Sequence, residues 1–173
     1  FYAMMVVYTP LYLLSLNFSW SEIGIIFTCM LLPFIFLQYP LGVLADKSMG
    51  EKELLIMSIV IVIVSTVALG FLNTTNIWVW GAALFLTRVG IAGIEVLRDS
   101  YFYKQIDSND MDMIALFRTT RPLANILGAV FSVALLLFFS LKSIFFLVAL
   151  VLFFSLFTAL ALEDTQSEQE IHA

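Results

Sequence analysis

Ile23–Ala45 runs for 23 residues without a charged side chain, and Leu54–Leu72 does the same over 19. A helix needs about 20 mainly apolar residues to cross the hydrocarbon core of a bilayer. Two such runs, a few residues apart, confine the chain to a small set of folds. Further runs follow. Ile77–Leu97 is interrupted only by Arg88 and Glu95, Pro122–Leu141 carries no charge, and neither does Ser143–Leu162. Residues 1–16 form a shorter apolar run ahead of them. Period-two alternation is absent, which argues against a membrane β-barrel. The sequence therefore predicts an all-α membrane protein of six transmembrane helices, at approximately 1–16, 23–45, 54–72, 77–97, 122–141 and 143–162. Residues 163–173 are expected to form an acidic cytoplasmic tail, with Glu163, Asp164, Glu168 and Glu170 solvated.

Composition agrees. Of the 173 residues, 62% are hydrophobic and 12% charged, against about 25% charged in soluble domains. Mean hydropathy is +1.03. The net charge of −5 and the scattered bases argue against a nucleic-acid partner. Cys29 is the single cysteine and His172 the single histidine. An intrachain disulfide and a multi-histidine metal site are thereby excluded. The sequence calls for no cofactor, no metal and no catalytic residue. The chain starts with Phe1 inside an apolar run, without a basic leader. This leads to the expectation that a preceding part is missing.

Loop cations set the orientation. Lys47 and Lys52 lie between the second and third spans, and Arg98, Lys104, Arg118 and Arg121 between the fourth and fifth. Lys142 alone lies on the other side. Six against one places those loops, both chain ends and the acidic tail in the cytoplasm. Trp20, Trp78 and Trp80 then fall at the outer interface, and Tyr39, Tyr101 and Tyr103 at the inner one.

Polar residues are unevenly shared among the spans. Tyr8, Pro10 and Tyr12 mark the first, and Pro33, Gln38 and Pro40 the second. Arg88 and Glu95 mark the fourth, and Pro122 and Asn125 the fifth. The third and sixth contain only Ser, Thr and small residues among aliphatic and aromatic ones, which suits them to lipid. The result is a three-plus-three pattern, as in transporters built from inverted repeats. Ala124, Gly128 and Ser132 place small residues on one face of the fifth span, and Gly90 and Gly93 follow Arg88. Both sets permit close helix packing, and the first could also serve as a pivot surface.

Arg88 lies eleven residues after Ile77, roughly 16 Å along the helix axis, near mid-bilayer. A charge there costs at least about 2.5–3.5 kcal/mol. It must face protein or water, as part of a structural ion network or of a substrate or proton-coupling site, with Gln38 and Asn125 as further polar candidates. The cation calls for an anionic solute or a carboxylate partner, and the sequence does not choose between them. Glu95, two turns on, shares its face, and Arg98 at i+3 is placed to pair with Glu95.

The inner loop after the second span reads Gly42-Val43-Leu44-Ala45-Asp46-Lys47, then Gly50-Glu51-Lys52. It resembles the signature of the major facilitator superfamily, Gly-x-Leu-Ala-Asp-Arg-x-Gly-Arg-Lys. Gly42, Leu44, Ala45, Asp46 and Gly50 match. Lys47 replaces an Arg, one extra residue precedes Gly50, and Glu51 replaces a base. Arg88-Val-Gly-Ile-Ala-Gly and Glu95-Val-Leu-Arg98 also resemble fourth-helix elements of such halves. The resemblance implies one half, the C-terminal one, of a twelve-helix secondary transporter that moves a small solute by alternating access. Its partners would be that solute, a coupling proton or ion, the bilayer, and an N-terminal six-helix half of the same chain. The location would be a plasma or inner membrane. It also implies a cytoplasmic gate at Gly42, Asp46, Lys47, Gly50, Glu95, Arg98 and Arg121. Asp46 would contact a helix N-terminus and a base drawn from Lys47, Arg98, Arg118 or Arg121. The rival readings are a six-span scaffold, a half-size transporter that dimerises, and an intramembrane enzyme. The last lacks a nucleophile turn, an intramembrane His and an Asp pair.

Overall fold

A computed structural model of the chain describes residues 1–106 and 111–163, apart from the side chains of residues 48 and 49. Six α-helices follow one another: α1 (Tyr2–Ser15), α2 (Trp20–Leu44), α3 (Glu51–Phe71), α4 (Ile77–Lys104), α5 (Met111–Leu136) and α6 (Ser143–Leu160). Five are long and apolar enough to cross a membrane, and α1, with 14 residues, is shorter. The tail residues Asp164, Glu168, Glu170 and His172 lie outside the described residues.

Local chemistry sets the helix ends. Ser19 caps α2 through a reciprocal box with Glu22: its backbone N–H donates to Glu22 Oε2 at 2.7 Å, and Glu22 N–H donates to Ser19 Oγ at 3.3 Å. Such pairs satisfy two otherwise orphaned donors of the first turn. Asn76 caps α4, its Oδ1 accepting from Trp78 N–H at 2.9 Å. The helices run unbroken through Pro10, Pro33, Pro40 and Pro122.

The inner connection between α2 and α3 is much tighter than the sequence suggests. α2 continues into a π-helical turn, Ala45–Met49, and only Gly50 separates that turn from α3. Gly50 N–H closes the turn on Ala45 O at 3.2 Å. A π turn holds one residue more than an α turn, which accommodates the longer Asp46-to-Gly50 spacing. Gly50 has φ 71° and ψ 159°, a region open essentially to glycine alone.

α4 is the central element and packs along both α2 and α3, while α6 packs along α3. Gly90 and Gly93 set the α3–α4 approach: a Cβ at Gly90 would collide with Val62 and the Ser58 carbonyl, and one at Gly93 with the Ser58 side chain. Tight packing is therefore what these glycines do. At the outer end, Tyr12, Trp80 and Phe145 join α1, α4 and α6 by ring contacts with centroids 5.4–6.4 Å apart.

Several expectations change. α3 presents Met57, Val60 and Val64 outward, but Leu54, Leu55, Ser58, Ile59, Val62 and Leu69 are buried. It is a core helix with one lipid-suited face. The least buried helix is instead α5, in which Ser132 alone is buried. Trp80 belongs to the core, its indole N–H donating to Thr74 O at 2.8 Å, while Trp20 and Trp78 are exposed. Finally, α4 and α5 extend inward past the predicted span ends, so Arg98, Lys104, Arg118 and Arg121 stand on helices rather than in a loop.

Candidate functional site

Two clusters gather most of the charge found on the spans, and α4 carries both. The upper one is Arg88, only 2% exposed. Its guanidinium carbon lies over the Phe1 ring at 5.3 Å and over the Tyr2 ring at 5.2 Å. Its Nε and Nη1 have no hydrogen-bond partner. A desolvated cation on a ring gains about 2 kcal/mol, so the two rings can offset the cost of burying the charge without satisfying its donors. No ion pair reaches Arg88 among the described residues. Gln38 and Asn125, the other polar candidates, are exposed on α2 and α5. No hydrogen bond joins either to Arg88 among the described residues, so the three candidates do not form one constellation.

The lower cluster lies toward the Lys104 end of α4 and joins it to the π turn, α3 and α5. Lys104, the last residue of α4, bridges two acids: its Nζ donates to Asp46 Oδ1 at 2.9 Å and pairs with Glu51, whose side chain is fully buried. Ser100 Oγ also donates to Glu51 Oε1, at 3.0 Å. The π turn and the start of α3 are thereby tied to α4. About two and a half turns before Lys104, Glu95 of α4 pairs with Arg121 of α5, which also lies over Tyr2 at 5.6 Å. Between these contacts, Phe102 of α4 and Phe117 of α5 stack at 3.9 Å with an interplanar angle of 7°.

This geometry corrects two pairings. Arg98 does not bond Glu95. It pairs with its neighbour Asp99 at 2.6 Å and lies over the Phe117 ring at 5.3 Å, while Glu95 is taken by Arg121. The base that meets Asp46 is Lys104, not Lys47, Arg98, Arg118 or Arg121, and Lys47 is exposed with no ion pair among the described residues. A Cβ at Gly42 would only reach ordinary contact with Val96 of α4.

Sequence reasoning missed Glu51, read only as a departure from a motif, and Lys104, counted only as a loop cation. A signal existed. α3 and α4 form a hairpin about the short 73–76 connection, and counting back equally from it brings Glu51 opposite the Leu97 turn. Ser100 and Lys104 then follow Leu97 at i+3 and i+7 on the same helix face.

A bundle of apolar helices, five of them long enough to cross a membrane, defines a polytopic membrane protein. The family model described as Major Facilitator Superfamily matches residues 1–172, and the chain belongs to that family. No curated protein matches the chain, and no solved structure does.

Proposed function

We propose that the chain carries a small solute across the membrane by alternating access, as one three-plus-three half of a twelve-helix assembly whose other half completes the cavity. In this reading the segment is the C-terminal half, and it sits in a plasma or inner membrane with both ends in the cytoplasm. A coupling proton or ion accompanies the solute. Arg88 marks the solute side of α4, and Gln38 and Asn125 are cavity-facing groups that meet the other half. Gly42, Asp46, Lys47, Gly50, Glu95, Arg98 and Arg121 form the inner gate, and Lys104 and Glu51 join them.

The observation that carries this reading is the inner clasp. Three of the described ion pairs join separate elements, and all three lie on the same half of α4, between Glu95 and Lys104. The Lys104–Asp46 and Arg121–Glu95 pairs are partly exposed, and such pairs contribute only about 0–1 kcal/mol each. Contacts of that size suit a closure that must reopen. Opening separates α5 from α4 at Glu95–Arg121 and at the Phe102–Phe117 stack, while the Gly50 hinge lets the π turn follow.

The test uses the full-length protein with Cys29→Ser and a reporter cysteine at Thr120, an exposed position on the inner part of α5. Asp46→Asn and Arg121→Gln should each speed labelling by a thiol probe applied from the cytoplasmic side. Unchanged labelling in both variants rejects the gate.

A further inference from the structure

A polar cleft opens between α4 and α5 toward the Lys104 end of α4, apart from Arg88. Its volume is about 270 Å³, and its wall includes Arg98, Asp99 and Tyr103 of α4 and Phe117, Arg118 and Arg121 of α5. The larger clefts beside α1 are lined chiefly by apolar side chains. Here three guanidinium groups stand with one carboxylate. Two of the three are held in place. Arg98 donates from Nε and Nη2 to one Asp99 oxygen, at 2.9 and 2.6 Å, and lies over the Phe117 ring at 5.3 Å. Arg121 pairs with Glu95 and lies over the Tyr2 ring. A guanidinium carries five N–H donors, so each keeps donors beyond those engaged. Their side chains are 41% and 59% exposed, so a ligand can reach them. Arg118 is exposed and has no ion pair among the described residues. Arg98 stands ten residues after Arg88, about 15 Å along the helix axis. With Arg88 near mid-bilayer, that rise is half the hydrocarbon thickness and brings the cleft to headgroup level.

We propose that this cleft binds an anionic phosphate group, held from α4 by Arg98 and from α5 by Arg118 and Arg121. Guanidinium forks match pairs of phosphate oxygens, and basic pockets between membrane helices take anionic lipid headgroups. A free phosphate and an anionic lipid headgroup present the same oxygens to the three arginines. A bound anion would join α5 to α4 beside the Phe102–Phe117 stack. The site does not depend on the transport reading.

The test measures the thermal unfolding midpoint of the full-length protein in maltoside micelles, in chloride buffer of fixed ionic strength. Inorganic phosphate is added in one arm. Phosphatidylglycerol is added in the other, its effect taken as the excess over phosphatidylcholine. At least one of the two anions should raise the midpoint. Arg118→Gln should need about tenfold more of that anion for the same rise, the loss expected for a charge-assisted hydrogen bond. Arg98→Gln should weaken the response as well, because the group is held from both helices. Lys52→Gln removes a charge from the first turn of α3, away from the cleft wall, and should respond like the unaltered protein. A response to phosphatidylglycerol alone assigns a lipid headgroup, one to inorganic phosphate alone a free anion, and one to both the phosphate group whichever molecule carries it. No response in either arm overturns the proposal, as does a response that Arg118→Gln leaves unchanged. A response weakened equally by Lys52→Gln is general surface charge and overturns it too. Weakening by Arg118→Gln with none by Arg98→Gln overturns a site shared between α4 and α5.

Discussion

The α2–α3–α4 block and α5 are built on opposite terms. In the block, helices approach closely enough that glycine is required at 90 and 93, and Leu54, Leu55, Ile59, Val62, Leu84, Ile91 and Leu97 are all buried. α5 buries Ser132 alone, faces Ala3 of α1 at Gly128, and meets α4 through the Glu95–Arg121 ion pair and the contacts of Phe117 with Phe102, Tyr103 and Arg98. Close packing transmits strain and resists deformation. A helix attached by a few weak contacts can part from its neighbours at little cost. The chain thus pairs a rigid frame with a loosely attached wall, and the buried Arg88 stands on the frame.

The largest expected effect breaks the frame. Trp80→Ala removes a fully buried ring that bridges α1, α4 and α6, and should cost about 3–5 kcal/mol. Trp78→Ala, at a ring 74% exposed, should change the unfolding midpoint little. Comparable losses would mean that the two rings are not in different surroundings.

The next contrast sets glycine against glycine. Gly90→Ala drives a methyl into Val62 and the Ser58 carbonyl and should destabilise by about 1–3 kcal/mol. Gly128→Ala meets only the Ala3 methyl, at 3.3 Å, and should leave the midpoint within about 0.5 kcal/mol of the starting protein. Thermal unfolding of the two variants side by side reads the difference in packing directly.

A smaller effect is expected at the seam between the π turn and the frame. Glu51→Gln keeps the shape of a buried side chain that meets Lys104 and Ser100 but removes its charge. A loss of about 1–2 kcal/mol is expected, reduced because the Lys104 side chain is 42% exposed. It should shrink further in Lys104→Met, where the pair is already gone. An undiminished loss in that background would separate Glu51 from Lys104.

Much of this was legible in the sequence. Uncharged runs located α2, α3 and α6 to within a few residues, because a bilayer leaves no other use for them. The burial of Arg88 and the packing role of Gly90 and Gly93 could also be read, since each follows from one helix alone. Pairings between helices could not. Arg98 sits at the right spacing for Glu95, but spacing along one helix says nothing of Arg121 arriving from α5 or Asp99 lying adjacent. The turn at Gly50 looked like a loop because its extra residue has no helical period to betray a π turn. The exposure of α5 was hidden for a related reason: its small residues promise close packing without naming the partner.

The central claim is that the inner end of α5 moves against a frame that does not. Spin labels at Glu53 and Asp112, both exposed at the inner starts of α3 and α5, report that separation in the full-length protein with Cys29→Ser. Labels at Glu53 and Trp78 report the frame, spanning α3 to the outer end of α4. Pulsed dipolar spectroscopy should give one narrow distance for 53–78, and for 53–112 two populations whose balance shifts with Arg121→Gln. A single narrow 53–112 distance, unmoved by Arg121→Gln, would contradict the account.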